Sequence, residues 1–148
     1  MFAPGDVGSP QHSLTGIVLY VNTVGVWEVS GTDKFAAWYS LLDAKDQSKV
    51  DERVELLAQS GPALRRPVVG EITTSTYKNM KELRAKSGRA HLRVLFIFDP
   101  HREAILLLGG DKAEDSQWND WYVTAVPLAD ELYENYLDET GQTDEEKN

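Results

Sequence analysis

The sequence predicts an α+β domain in which an N-terminal strand and an αα-hairpin pack on an antiparallel β-meander, followed by a C-terminal helix. Three observations predict it. Apolar side chains recur twice at helical spacing in the first half of the chain. Two short apolar runs follow, and a last helical pattern closes the chain. With 148 residues, the chain is long enough for one domain with a core that needs no disulfide.

The first secure strand is predicted at residues 24–29, where apolar side chains alternate. Ile17–Tyr20 is either an additional strand or part of a weakly ordered segment. Residues 1–14 are rich in Gly, Pro and Ser and have little to bury, so residues 1–24 as a whole are predicted to be a disordered or weakly ordered extension.

Two consecutive helices are predicted next. Thr32 suits an N-cap, and Phe35, Trp38 and Leu42 follow at helical spacing, which indicates a helix over 33–43. A second amphipathic pattern covers 46–59 and stops at Gly61-Pro62. The short joint between the two predicts an αα-hairpin.

Residues 62–78 are predicted to be an irregular connection, followed by strands at 79–85, 92–98 and 103–109. The last two flank Asp99-Pro100-His101-Arg102, a turn sequence, so they form a hairpin. Met80 and Leu83 would lie on opposite faces of an unbroken strand. Either a bulge interrupts that strand or both faces of the sheet are covered.

A helical turn at 118–123 and a final helix with Pro127 in its first turn are predicted after Lys112. Leu128, Leu132 and Tyr136 supply the apolar stripe of that helix. Residues 140–148 are acidic and polar and are predicted to be a disordered tail. A single domain is therefore predicted over residues 25–139.

The net charge of −9 is unevenly distributed. Residues 61–112 hold ten Lys/Arg and five Asp/Glu, a net +5, whereas the remainder holds five and nineteen, a net −14. Because salt confines each field to about 8–10 Å, a basic surface can work on an acidic protein. Long-range attraction of nucleic acid is lost, so another agent must deliver such a target.

Cofactor chemistry has little support in the sequence. The chain has no cysteine, and His12, His91 and His101 do not have the spacing of zinc ligands. No apolar run approaches the ~20 residues that cross a bilayer. The prediction is a cytoplasmic protein without metal, cofactor or membrane contact.

Several separated blocks resemble one family. KELR at 81–84, LRVLFIFDPHREAILLLGGDK at 92–112 and the WY…VPLADELYENYL segment at 121–137 resemble the RelE/ParE superfamily of small bacterial toxins. Within it, they are similar to HigB-type toxins of phage-like origin. The resemblance runs from about residue 26 to 137, and the order of the predicted elements agrees with it.

The resemblance implies a RelE-like fold and the toxin of a type II toxin–antitoxin system. It implies an endoribonuclease that cuts messenger RNA, usually in the ribosomal A site, without a metal. The implied partner is an antitoxin with a helix-turn-helix DNA-binding domain, so operator DNA would be contacted only through the antitoxin. Delivery by the ribosome would answer the problem of net charge.

Three residues are the leading catalytic candidates. Arg84 ends the first meander strand and matches an arginine of the family, and Arg93 opens the next strand, so the two could lie side by side and bind phosphate. Lys112, after Gly109-Gly110, could reach the phosphate or the leaving oxygen. The alternative for the arginines is a structural ion pair with Glu82 or Asp99. The alternative for Lys112 is an ordinary turn residue.

Four residues are second-rank RNA-binding candidates: Lys81, Arg89, His91 and Tyr122. Arg89 is more often a solvated turn charge, and a lone histidine such as His91 is more often surface structure. Tyr122 could stack on a base, join the acid–base chemistry or pack in a core. Trp118 and Trp121 are assigned to the core.

Two rival functions remain open at this stage. ParE-like members of the superfamily inhibit DNA gyrase through protein contacts, which suits an acidic protein. A degenerate toxin kept for antitoxin binding is the other, because the neighbours of Trp121-Tyr122 are Asn119, Asp120, Val123 and Thr124 rather than basic residues.

Overall fold

The computed structural model describes residues 27–114 and 120–148, together with the backbone of strand β1. Predictions for 1–16, for 21–26 and for Trp118 lie outside this part. The strands are β1 (Ile17–Tyr20), β2 (Val29–Thr32), β3 (Val69–Glu71), β4 (Lys81–Ser87), β5 (Ala90–Phe98) and β6 (Ala104–Asp111). The helices are α1 (Asp33–Ser40), α2 (Ala44–Ser60) and α3 (Asp120–Thr140). The predicted α+β class is confirmed.

The six strands form one sheet in the order β1-β2-β6-β5-β4-β3. The predicted meander β4-β5-β6 is antiparallel throughout, whereas β2 joins β6 in parallel. A bulge lies between Leu95 and Phe96 in the β5–β6 pairing. The bulge therefore lies in the neighbouring strand pair and not in the strand after Met80, where the sequence suggested a bulge.

Local capping explains where the αα-hairpin begins and ends. The hydroxyl of Thr32 accepts a 3.1 Å hydrogen bond from the Phe35 N–H, as predicted, and donates one of 2.6 Å to the Leu107 carbonyl on β6. Asp43 caps α2 through the N–H of Asp46 at 2.8 Å. Gly61 ends α2 with φ of 55°, a value that glycine adopts at little cost.

Both faces of the sheet are covered, which resolves the question raised by Met80 and Leu83. Leu83, Val94 and Leu106 face α1 and α2 in one core cluster. Ile97, Leu107 and Met80 belong to a second cluster with α3. Alternation along the strands therefore sends neighbouring residues into two different cores, and it decides which charged residues face α3.

The first predicted strand is misplaced. Trp27 and Glu28 lie outside strand structure, and β2 begins only at Val29. The Trp27 N–H donates to the Ala58 carbonyl at 2.8 Å, and its indole packs against Phe98 and beneath the Arg102 guanidinium. This attachment to the end of α2 replaces the strand pairing that alternation predicts.

The connection predicted to be irregular contains a strand. Val69–Glu71 pairs antiparallel with β4 and forms the last strand of the sheet. A strand of three residues is too short to show an alternating pattern in the sequence. The pairing depends on a β4 that lies ten residues further along the chain.

The final helix begins seven residues before Pro127, so the prediction of Pro127 in its first turn is wrong. Ala125, Val126 and Ala129 are buried against the sheet and extend the apolar stripe upstream. Pro127 lies on the exposed side of the helix, beside Val123, which is 72% exposed. There water can satisfy the carbonyl that proline leaves without a donor.

The C-terminal residues pack on the body, contrary to the predicted disordered tail at 140–148. The N–H of Asn148 donates to the Thr76 carbonyl at 2.8 Å, and the Lys78 N–H donates to the Glu146 carbonyl at 2.9 Å. The Tyr133 hydroxyl donates to Asp144 at 2.5 Å. An acidic, polar composition favours disorder, but these bonds anchor the segment to the loop before β4 and to α3.

Candidate functional site

Arg84 and Arg93 lie directly opposite each other in the β4–β5 pairing. The predicted juxtaposition is therefore confirmed, and strand alternation turns both toward α3, away from Leu83 and Val94. Like charges opposite each other repel. A stable pair of guanidinium groups at this position needs a carboxylate nearby.

Glu82 supplies that carboxylate. From the sequence, it was predicted only as a possible structural ion-pair partner of the arginines. Its Oε2 lies 2.9 Å from Nη2 of Arg84, and its Oε1 lies 3.6 Å from Nε of Arg93. Glu82 is only 4% exposed. The signal in the sequence is its position two residues before Arg84 on the same strand face, and its burial depends on α3.

Tyr122 closes the cluster from α3. Its hydroxyl donates a 2.5 Å hydrogen bond to Oε1 of Glu82. Burial, with the hydrogen bond and charge of Glu82 adding to it, raises the pKa of Tyr122 to about 12. The phenol therefore stays a donor at neutral pH. Arg93 donates its Nη1 to the Leu92 carbonyl at 2.9 Å, which holds the guanidinium against the strand.

Lys112 follows β6 in a short 3₁₀ turn, and its Nζ lies 5.8 Å from the centre of the Tyr122 ring. Burial, followed by the charge of Arg93, lowers the pKa of Lys112, while Glu82 opposes the shift. The ammonium therefore releases a proton more easily than that of an ordinary lysine. Asp111 accepts hydrogen bonds from the backbone N–H groups of His91 and Ala113, so it caps this turn.

Glycines allow the elements to approach closely here. A Cβ at Gly110 would overlap the Trp121 indole, and one at Gly109 would overlap Trp38 on the opposite face. A Cβ at Gly70 on β3 would overlap the Arg84 guanidinium. Gly109 and Gly110 therefore let the two tryptophans pack directly on β6, and Gly70 gives Arg84 its place beside β3.

A pocket of about 640 Å³ opens on this cluster. One wall carries ionisable groups, and the other is apolar, with two threonines between them. The lining residues are Glu71, Glu82, Arg84, Lys112 and Tyr122, then Thr73 and Thr74, then Ile72, Val123, Val126 and Pro127. Pockets of this size hold small organic ligands, with a few polar groups to orient them.

The second-rank candidates are dispersed. Lys81 has the opposite strand parity from Arg84, lies 3.9 Å from Glu71 and lines a different cavity. Arg89 is exposed in the β4–β5 turn. His91 pairs with Lys86 across the strands, and burial, followed by the charges of Lys86, Arg93 and Lys112, lowers its pKa. Only Tyr122 of these four lines the pocket.

The described part of the chain was searched for metal-ligand clusters and for membrane-spanning helices. Residues 27–114 and 120–148 hold no group of three or more His, Asp or Glu side chains placed to bind a metal ion. Over the same residues, no helix is long and apolar enough to cross a membrane.

Known proteins have sequences similar to this one. The profile of the family described as "Phage derived protein Gp49-like (DUF891)" matches residues 37–134. A Mycobacterium tuberculosis protein described as "Putative toxin HigB3" is 46% identical over 100 residues, which are 68% of this chain and 84% of that protein. A second one, "Putative toxin HigB2", is 39% identical over 125 residues, 84% of this chain and 60% of that protein. No solved structure matches significantly.

The chain belongs to the Gp49-like family of phage-derived proteins. It is a homologue of HigB-type toxins of toxin–antitoxin systems.

Proposed function

We propose that this HigB-type toxin is a metal-independent endoribonuclease that cuts messenger RNA. The observation that carries the proposal is the buried Glu82 between Arg84, Arg93 and Tyr122, on the wall of a pocket that Lys112 also lines. A proton acceptor, a guanidinium group and an ammonium on one concave surface are the groups that RNA cleavage requires. The covered sheet also fits the RelE-like fold implied by the sequence.

The proposed reaction uses these side chains directly. Glu82 accepts the proton of the ribose 2′-hydroxyl, whose oxygen attacks the adjacent phosphorus. Arg84 and Lys112 stabilise the charge on the phosphorane, and Arg93 assists behind Glu82. The bond from phosphorus to the 5′-oxygen then breaks, and the Lys112 ammonium protonates that oxygen. The products are a 2′,3′-cyclic phosphate and a 5′-hydroxyl.

Arg84 has to serve both Glu82 and the phosphate. Its guanidinium approaches Oε2 of Glu82 through both Nε and Nη2, each at 2.9 Å. Its side chain keeps one third of its surface exposed toward the pocket. A guanidinium has five N–H donors, so those not facing Glu82 remain available for phosphate oxygens.

Two partners belong to the proposal. The substrate is messenger RNA presented in the ribosomal A site in the cytoplasm, which answers the net charge of −9. A cognate antitoxin, with a helix-turn-helix DNA-binding domain, neutralises the toxin and carries it to operator DNA.

The experiment is Lys112→Ala, compared with Lys78→Ala. Lys112 lines the pocket, whereas Lys78 is exposed and lies outside it, so the two variants lose the same charge at different places, and thermal melting checks that both are folded. New messenger RNA 5′ ends are mapped after induction, and cleavage is timed on purified ribosomes. We expect about 10²–10³-fold slower cleavage for Lys112→Ala and no change for the control.

If Lys112→Ala cleaves as fast as Lys78→Ala, the assignment of Lys112 to the catalytic site is wrong. If the parent chain yields no new RNA ends on ribosomes, the nuclease itself fails.

One observation favours a second candidate. Both arginines are already paired with Glu82, as a structural ion pair would be. A toxin that acts through protein contacts, such as a ParE-like inhibitor of DNA gyrase, needs no free phosphate clamp. Growth arrest with gyrase-linked DNA damage and intact messenger RNA would support this candidate.

A further inference from the structure

The pocket carries too little net charge to hold RNA alone. Arg84 and Lys112 supply two positive charges to its lining, and Glu71 and Glu82 cancel both of them. Affinity for a nucleic acid strand grows with the number of phosphates that cations neutralise. If the cleaved phosphate is bound here, neighbouring phosphates need cations elsewhere on the surface.

A second cavity, of about 460 Å³, provides such cations. Arg65, Arg66 and Lys81 line it, against a single carboxylate, that of Glu71. Arg65 and Arg66 are exposed, and the Lys81 side chain is 23% exposed. We call this cavity the basic groove. Its lining has a net charge of +2, higher than that of the pocket.

The two concavities adjoin across strand β3. Glu71 of β3 lines both, and β3 is the last strand of the sheet, with no further strand paired to it in the described chain. The Arg84 guanidinium packs over Gly70 of the same strand. A flexible polyanion that leaves Arg84 can therefore cross β3 beside Gly70 and reach Lys81 on the opposite face.

We propose that the basic groove binds the phosphate backbone of the single-stranded RNA whose scissile bond lies in the pocket. This rests on the proposed nuclease function and adds a second binding site to it. Arg65 and Arg66 neutralise phosphates outside the reacting one, and Glu71 lies between the two sites as an opposing charge. Exposed arginines bind phosphate oxygens bidentately without reading the base, which suits a strand of varied sequence.

An acidic protein segment is the competing occupant. RNA is favoured because the basic groove adjoins the pocket across β3, so one strand can place its scissile phosphate at Arg84 and a neighbouring phosphate at Arg65 and Arg66. A sugar–phosphate chain carries its charges at every nucleotide and can match cations on both sides of β3.

The test is a salt titration with full-length protein and a short 2′-O-methylated oligouridine, which cannot be cleaved by 2′-hydroxyl attack. Arg65→Gln/Arg66→Gln is compared with Lys34→Gln/Lys49→Gln, which removes the same charge from exposed helix positions outside both concavities. For two lost phosphate contacts, the slope of log affinity against log salt falls by about 1.4 in magnitude. The control keeps the parent slope.

Glu71→Gln gives a test of opposite sign. Removing the carboxylate between the two sites should tighten oligouridine binding, whereas loss of a merely structural residue would not improve it. An unchanged slope in Arg65→Gln/Arg66→Gln, or an equal fall in the control pair, overturns the basic groove. The proposal is also overturned if oligoglutamate binds to the basic groove and oligouridine does not.

The outcomes also separate this site from the nuclease. Lys112→Ala that stops cleavage, together with an unaltered slope in Arg65→Gln/Arg66→Gln, keeps the nuclease and rejects the groove. A reduced slope with a parent chain that never cuts messenger RNA keeps RNA binding and rejects the nuclease.

Discussion

Two buried carboxylates on the α3 side of the sheet are held by the same kind of bond but have different surroundings. Glu82 accepts a 2.5 Å hydrogen bond from Tyr122 near the start of α3, and Asp99 accepts one of 2.5 Å from Tyr136 near its end. They are 4% and 3% exposed. Each tyrosine–carboxylate bond fixes one end of the helix on the sheet.

The remaining neighbours differ. Glu82 lies among guanidinium groups and borders the pocket. Asp99 receives neutral donors, the Glu103 N–H at 2.9 Å and the Gln142 amide at 3.2 Å. Burial and a hydrogen-bonded tyrosine are therefore insufficient to identify a reactive carboxylate. Adjacent cations and an open pocket distinguish Glu82, the proposed proton acceptor, from Asp99.

The largest expected effect comes from neutralising each carboxylate in turn. Glu82→Gln should slow ribosome-dependent cleavage by about 10²–10⁴-fold, because the proposed proton acceptor is lost. Asp99→Asn should leave the cleavage rate of the folded protein unchanged and lower the free energy of unfolding by about 1–3 kcal/mol, because one Asn oxygen cannot replace two carboxylate oxygens.

Glu82→Gln also leaves two arginines without their counter-charge, so folding has to be controlled. Thermal melting is recorded for both variants, and cleavage is measured well below the lower melting temperature. Equal cleavage rates for Glu82→Gln and Asp99→Asn would abolish the distinction between the two carboxylates.

Substitutions of the two tyrosines should have smaller effects, and these should differ in the cleavage rate. Tyr122→Phe and Tyr136→Phe each remove one hydrogen bond to a buried carboxylate, and each should cost about 1–2 kcal/mol of the free energy of unfolding. Only Tyr122→Phe should also slow cleavage, by roughly tenfold, because Tyr122 positions Glu82. The pH profile of cleavage should shift in Tyr122→Phe alone.

Matched chemical denaturation and cleavage assays measure both quantities on the same preparations. Tyr136→Phe is expected to cleave at the parent rate. If it loses as much cleavage rate as Tyr122→Phe, the attachment of α3, and not the position of Glu82, controls the rate.

Much of the fold follows from local patterns. The αα-hairpin could be predicted because Thr32 and Gly61-Pro62 mark its limits within a few residues. β3 and the true start of α3 could not, because a three-residue strand has no period, and burial of Ala125 and Val126 overrides the proline signal. The order of the C-terminal residues likewise depends on partners about seventy positions earlier.

The site divides in the same way. The register of one tight hairpin brings Arg84 opposite Arg93, and alternation alone then gives them a common face. Glu82 was visible only as a possible ion-pair partner. Its bond to Tyr122 joins positions forty residues apart, with β5 and β6 between them in the sequence. A local pattern carries no information about such a contact.

The smallest expected effect concerns pH and the surroundings of Asp99. A hydrogen bond to Glu28, then burial and the charges of Glu28 and Asp99, raise the pKa of Glu103 from 4.5 to about 7. The folded chain therefore keeps a proton that the unfolded chain releases above pH 4.5. The resulting stabilisation is complete below that pH and is lost as the pH rises through about 7. Because Glu103 is partly exposed, we expect on the order of 1 kcal/mol.

Glu103→Gln keeps the hydrogen-bonding shape without a titrating group, so it should remove this dependence between pH 5 and 8. Glu131→Gln, at an exposed position of α3, is the matched control and should retain the slope of the parent chain. Melting temperatures measured across that range provide the comparison. Parallel curves for all three proteins would mean that Glu28 and Glu103 share no proton. Cleavage should be unaffected in both variants, because the pocket lies at the other end of α3 and its ionisable wall includes neither residue.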